Sequence, residues 1–280
     1  MTVSTAPAMS TPRARTPVAA SPSDAATIAA LVGRDLRRFF RQPSRVVGSL
    51  AQPLILWAVL GAGLGGSFRP GGAVGDVSYL QYFYPGIVVL TMMFTAIFST
   101  ISVIDDRHHG FLQAVLAAPT SRAALVLGKT LGGVAIASIQ AVALLALAPL
   151  AGFHYGAIDW PLVLVALPLA AVGFTALGFA MAWWIDSTQG YHAVMSVALI
   201  PLWMLSGAMF PGRGTGAVVG TLMKLDPMTY AVDAVRRGFH GAGVSADLLA
   251  TGSSAIDLAV VTAFAALAVV AAVALCRRRA

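Results

Sequence analysis

Glutamate is absent from this chain: all eleven acidic residues among its 280 are aspartate. The commonest carboxylate for acid–base and metal chemistry is therefore missing. Charge of either sign is scarce, at 10% of residues against the roughly 25% of a soluble domain, which excludes an ordinary water-soluble globule. The single cysteine, Cys276, cannot close an intrachain disulfide. Residues 1–26 lack the apolar core of a secretory signal peptide and are rich in Ala, Pro, Ser and Thr. They read as a disordered cytoplasmic tail. No internal repeat is visible.

What is present is apolar. Hydrophobic residues make up 58% of the chain and the mean hydropathy is +0.81, so this is an integral membrane protein. Six runs have the length of a bilayer span: about 46–65, 84–104, 125–150, 161–185, 193–210 and 255–276. The fold class is an all-α membrane protein with six transmembrane helices. The net charge of +7 sits in Arg and Lys flanking these runs, which fits membrane orientation and argues against a nucleic-acid partner.

Ahead of the first span, residues 27–42 read as an amphipathic helix. Its apolar face holds Ile28, Leu31, Val32, Leu36, Phe39 and Phe40, and Arg34, Arg37, Arg38 and Arg41 crowd the other. A basic amphipathic helix beside a span is expected to lie in the bilayer interface, with Pro43 ending it. With six spans both termini share a side. That side would carry eleven basic residues near the spans, namely Arg34, Arg37, Arg38, Arg41, Arg45, Arg107, Arg122, Lys129 and Arg277 to Arg279. The opposite side has five: Arg69, Arg213, Lys224, Arg236 and Arg237. Positive-inside bias thus predicts cytoplasmic termini, a cytoplasmic Asp105–Lys129 stretch and an external segment over 211–254.

The Asp105–Lys129 stretch reads as a charged, water-facing loop. Ala123 to Thr130 fits a loose [AG]-x4-G-K-T pattern, but the intervening Ala-Leu-Val-Leu is helical in character and the first Gly is missing, so no phosphate cradle is expected. Lys129 reads as a side chain snorkelling at the membrane edge. His108 and His109 are adjacent and would diverge on a helix, with no Cys or Glu nearby, so no metal site is expected. The spans offer no catalytic set and almost no ionisable residue near the midplane. Gln52 and Gln140 are the strongest buried polar candidates, suited to hydrogen bonds between helices. An enzyme is not indicated, and any transport would draw energy from another subunit. An ion-coupled carrier, or a non-transporting assembly or immunity protein, is the alternative.

The external segment contains Asp226-Pro227, a helix start with the acid at the cap and Pro at the first position. Asp233 can pair with Arg236 or Arg237, and Gly238 or Gly241 can end the helix. The pattern fits either a surface helix or a short helix dipping to the outer face to shape an exit.

Taken together, three blocks resemble the ABC-2 type permeases, the membrane subunits of ATP-binding-cassette exporters, with the closest likeness to the daunorubicin/doxorubicin-exporter branch. They are Arg34 to Gly65 with Gln52-Pro53, Asp106-Arg107 to Gly128-Lys129 with Gly110-Phe111-Leu112 and Pro119, and Leu205 to Pro211 followed by Asp226-Pro227-Met228-Thr229-Tyr230, Asp233 and Arg236. The resemblance implies a permease dimer, identical or mixed, with two cytoplasmic ATPase subunits that hold ATP and Mg; this chain would bind no cofactor. It implies export across the cell membrane but does not fix the cargo; the apolar spans would suit a hydrophobic or amphipathic compound such as a drug, antibiotic or lipid. Carried over by position, Asp106, Arg107, Gly110, Phe111, Leu112, Pro119 and Arg122 belong to the ATPase-docking loop. Asp226, Pro227, Tyr230, Asp233 and Arg236 belong to an external gate helix. Many relatives have Glu in the docking loop, where this chain has His108, His109 and Gln113.

Overall fold

The structure is a computed structural model that describes residues 23–65, 77–212, 215–241 and 248–278. Every regular element among them is helical. Helix α1 (Asp24–Phe40) begins where the Ser23 hydroxyl accepts the Ala26 N–H, so the end of the expected disordered tail is helix; its first 22 residues lie outside the described set. Helix α2 (Pro43–Leu64) follows after one turn, with Pro43 inside its first turn.

Helix α3 (Tyr79–Ser99) starts on a reciprocal capping box between Ser78 and Gln81, five residues before the predicted span. It continues past Thr100 into α4 (Ile101–His108). Asp105, Asp106 and Arg107 therefore stand on a helical extension of the second span, not in a loop. Gly110, at φ +76°, makes the sharp turn into α5 (Phe111–Ala117), and α6 (Arg122–Leu145) follows from a Ser121 cap. The predicted third span runs on to 150, whereas α6 stops at Leu145. Pro149, without an N–H to donate, lies in a separate 3₁₀ turn, Ala148–Ala151.

Helices α7 (Trp160–Trp184), α8 (Thr188–Leu205), α9 (Ala217–Leu225), α10 (Pro227–His240) and α11 (Ser254–Arg278) complete the chain. Five helical stretches among the described residues are long and apolar enough to cross a bilayer: Val46–Leu64, Tyr79–His108, Arg122–Leu145, Trp160–Trp184 and Ser254–Arg278. The remaining predicted span, the fifth at 193–210, corresponds to α8. It starts five residues earlier than 193 and ends five before 210, where Ser206 and the positive-φ Gly207 turn the chain, and its polar first turn from Thr188 to His192 lowers its mean hydropathy. The core is the packing of α3, α6 and α7 on one another, with α11 along α7. Helix α2 touches the bundle mainly through α3 and leaves Val47, Ile55 and Val59 exposed.

Close approach of α1 to α6 depends on two glycines. A Cβ on Gly128 would stand 2.7 Å from Leu31 Cδ1, and one on Gly132 would stand 3.2 Å from the Asp35 carboxylate. One turn apart on α6, they form the shallow groove in which the Leu31–Asp35–Phe39 face of α1 lies. The glycine of the apparent nucleotide motif is thus a helix-packing residue.

Candidate functional site: a pinned elbow at the mouth of a cleft

Helices α4, α5 and the start of α6 form an elbow, and buried ion pairs bind it to α1. Lys129 projects from the second turn of α6 but does not reach an edge; only 3% of it is exposed. Its ammonium lies 3.1 Å from Asp35 of α1 and 2.6 Å from Asp106 of α4, with Ser102 Oγ at 3.3 Å. The snorkelling expectation is corrected: two carboxylates, desolvated by the surrounding helices, hold the lysine inside. Asp106 also takes a two-pronged contact from Arg34, at 2.8 and 2.5 Å, and Arg38 reaches Asp105 at 2.7 Å. Three acids and three bases cancel. Burial pushes the Asp35 carboxyl above its ordinary range, and Lys129 opposes that rise.

Gly128-Lys129-Thr130 lie within a continuous α-helix, and the lysine is committed to Asp35 and Asp106. Backbone N–H groups engaged in helical bonds cannot cradle a phosphate, so the local geometry does not fit a nucleotide.

The positions carried over for docking divide by exposure. Asp106 and Leu112 are buried, so neither is on the surface. Arg107 turns toward α7, pairing with Asp186 at 2.5 Å and donating to the Ala182 and Trp183 carbonyls at 3.2 and 3.1 Å, which caps the end of α7. Phe111 is half-buried beneath the Arg34 guanidinium, 3.9 Å from its ring centre. Arg122 is half-buried near Cys276 at the far end of α11. His108, His109, Gly110, Gln113, Ala114 and Pro119 form the exposed face of the elbow. His109 Nδ1 is 2.7 Å from the Asp105 carbonyl, a bond that closes the end of α4. Of the basic residues on α1 and at its C-cap, Arg34 and Arg38 face the elbow, whereas Arg37 and the capping Arg41 are exposed.

Beside this elbow lies a cleft of about 540 Å³ between α2, α3, α6 and α8, with Asp35, Arg38 and Asp105 in its lining. Leu56, Leu90, Phe94, Phe98, Ile136 and Ile200 supply its apolar wall. Gln140 is buried as expected and bridges α2 to α3, donating to Ser49 Oγ and accepting from Thr95 Oγ1. Gln52 is corrected: it is exposed on the cleft wall. The cause is the sparse contact of α2 with the bundle. His192 stacks on Phe98 with ring centres 4.8 Å apart.

At the other end of the bundle, α10 is not a surface helix. Asp226 caps it by accepting the Met228 N–H at 2.8 Å, and ten of its residues are buried. Arg236 is fully buried and joins four partners: Asp233 at 3.1 Å, the Gly207 carbonyl at 2.9 Å, the Leu248 carbonyl at 3.2 Å and the Tyr82 ring at 4.3 Å. Asp233 also accepts from the Ala250 and Thr251 N–H groups at 2.7 and 2.8 Å. Arg237 pairs with Asp257 of α11 at 3.0 Å instead. Gly241, at φ +61°, ends the helix, while Gly238 is pressed against Val163 of α7. Pro227 occupies the first turn, and Tyr230 donates to the Lys224 carbonyl at 2.8 Å. Burial lifts the Asp226 carboxyl to about 7 and drops the His240 imidazole to about 4.

Sequence reasoning missed Lys129 and Asp35. One signal was available: an aspartate between Leu31 and Phe39, at i+4 from each, lies on the apolar face of α1 and requires a cation.

An all-helical multi-pass bundle is what the sequence resemblance anticipated, and comparison with known proteins agrees. The model of the ABC-2 type transporter family matches residues 26–240. The chain belongs to that family. Nodulation protein J of Rhizobium leguminosarum bv. trifolii is 29% identical over 196 residues, covering 68% of this chain and 72% of its own. The putative transport permease ycf38 of Cyanophora paradoxa is 28% identical over 210 residues (74% and 71%), and that of Porphyra purpurea 26% over 211 (75% and 72%). This ABC-2 type transporter chain is accordingly a multi-pass membrane transport component, and the assembly-or-immunity alternative loses its support.

Proposed function

We propose that this chain is the permease subunit of an ATP-driven exporter in the cell membrane, with both termini cytoplasmic. It works as a dimer with two cytoplasmic ATPase subunits that carry ATP and Mg, and it moves hydrophobic or amphipathic compounds outward. The observation that carries this reading is the pinned elbow. The elbow presents His108, Gln113, Ala114 and Pro119 outward, while Arg34, Asp106 and Lys129 tie its base to α1 and α6. A partner pushing on α5 therefore moves three helices as a unit, and α1 and α4 contribute Asp35, Arg38 and Asp105 to the cleft lining. Such a push shifts the balance between inward- and outward-facing states only if the partner binds one state more tightly.

In this reading the docking contact is made by the exposed face of the elbow, and Asp106, Arg107 and Leu112 hold that face in place. The external α10, pinned through Asp233 and Arg236, forms the outer gate. The test is co-isolation with a co-expressed ABC ATPase subunit. Ala114→Arg, on the exposed face, should reduce the recovered ATPase at least tenfold while leaving the permease in the membrane. Unchanged recovery would place the contact elsewhere. Transport that persists without any ATPase and collapses with an uncoupler would restore the ion-coupled carrier.

A further inference from the structure

The four arginines of α1 and its cap divide into two pairs. Arg34 and Arg38 are neutralised by Asp106 and Asp105 of α4. Arg37 and Arg41 are exposed, and no acid among the described residues pairs with either. Arg37 commits only its Nε, which donates to the Gly33 carbonyl at 3.0 Å, so both terminal nitrogens remain for a ligand. At i and i+4, the two guanidiniums rise from neighbouring turns on one side of the helix. The acids of α1 do not answer them. Asp35 is buried on Lys129, and Asp24, which accepts the Ser121 N–H, lies about 20 Å of helix rise before Arg37.

Apolar surface adjoins these cations. Phe40, between them in sequence, is 57% exposed, and α2 continues with the exposed Val47, Ile55 and Val59. In the span Val46–Leu64 such side chains face acyl chains. Arg37 and Arg41 therefore stand just ahead of the point where the chain enters hydrocarbon, the depth of lipid phosphates. A soluble acidic partner meets the charges but not the apolar stripe that runs on into the span. A lipid meets both, with its phosphate against the guanidiniums and its acyl carbons against Phe40. A zwitterionic head brings its own cation and leaves the arginine pair uncompensated, whereas a head with net negative charge does not.

We propose that Arg37, Phe40 and Arg41 form a site for the head of an anionic phospholipid at the corner between α1 and α2, holding the helix to which the elbow is pinned. The inference needs neither the cargo nor the ATPase of the proposed function. Ser44, exposed just beyond Arg41, is replaced by cysteine and labelled with a pyrene maleimide, while the fully buried Cys276 stays unlabelled. The full-length permease is placed in nanodiscs of dioleoylphosphatidylcholine, with brominated phosphatidylglycerol or brominated phosphatidylcholine replacing a rising share of the lipid. An arginine near an anionic surface contributes roughly fivefold. Half-maximal quenching should therefore need at least tenfold less of the phosphatidylglycerol. Arg37→Gln with Arg41→Gln should bring the two lipids within twofold. Arg37→Lys with Arg41→Lys should keep at least a threefold preference, and the exposed Lys224→Gln should keep all of it. Equal quenching by both lipids in the native chain overturns the proposal, as does a preference that survives the double glutamine variant. An equal loss in the lysine and glutamine variants would mark a structural role and overturn it too. Quenching by neither lipid, or protection from both by a co-reconstituted ABC ATPase subunit, would make this corner a protein-facing surface instead.

Discussion

Lys129→Met should unpin the elbow. The substitution keeps the stem volume and removes the charge from a site where the lysine is 3% exposed. Asp106 would keep its two contacts with Arg34, at 2.8 and 2.5 Å, but Asp35 would retain only Arg34 at 3.6 Å. A buried carboxylate left without its main partner costs about 3–5 kcal/mol. The double variant Asp35→Leu with Lys129→Met removes the stranded charge and should recover at least half of that loss, because a buried pair replaced by apolar groups of similar volume is close to neutral. Unfolding of the purified permease in bicelles, followed by helical circular dichroism, measures both, with the exposed Lys224→Met as the reference. A loss below about 1 kcal/mol for Lys129→Met, or strictly additive losses in the double variant, would refute the argument that the node is held by desolvated charge.

Gly128→Val places a branched side chain against Leu31 and should lift α1 off α6, costing about 1–3 kcal/mol; limited trypsin digestion at Arg34, Arg37 and Arg38 should accelerate. Arg236→Met strands Asp233 and should cost about 3–5 kcal/mol in the same unfolding assay, with Arg236→Lys recovering only part because an ammonium cannot span Asp233 and two carbonyls at once. The Asp226 carboxyl, raised by burial to about 7 from an unfolded value near 4, binds its proton more tightly in the folded chain. Its contribution is therefore fully present below about pH 4 and is lost as pH rises through about 7. Thermal midpoints should fall from pH 5 to 8, and Asp226→Asn should flatten that slope; an unchanged slope in the variant would exclude Asp226 as its source.

The apolar runs were legible because a bilayer imposes length and composition directly on the chain, and the start of α10 was legible because Asp226-Pro227 is a local signal. Boundaries failed where local chemistry overrode hydropathy. The second span runs past its apolar end because Asp105 and Asp106 find cations on α1, and the third stops early at a proline turn. The Asp105–Lys129 stretch was legible as a charged segment, but which of its side chains face outward depends on where α1 lies.

By itself, the sequence determined that this is an all-helical membrane protein, roughly where it crosses, and which family it joins, since hydropathy and the order of short blocks are carried by residues near one another in the chain. The tertiary structure alone decided that Lys129 is buried, because its partner Asp35 lies 94 residues away. It alone decided that Gly128 serves helix packing, and that Ser49, Thr95 and Gln140 meet on one cleft wall. Those facts are contacts between distant segments, and a pattern read along the chain holds no distance between them.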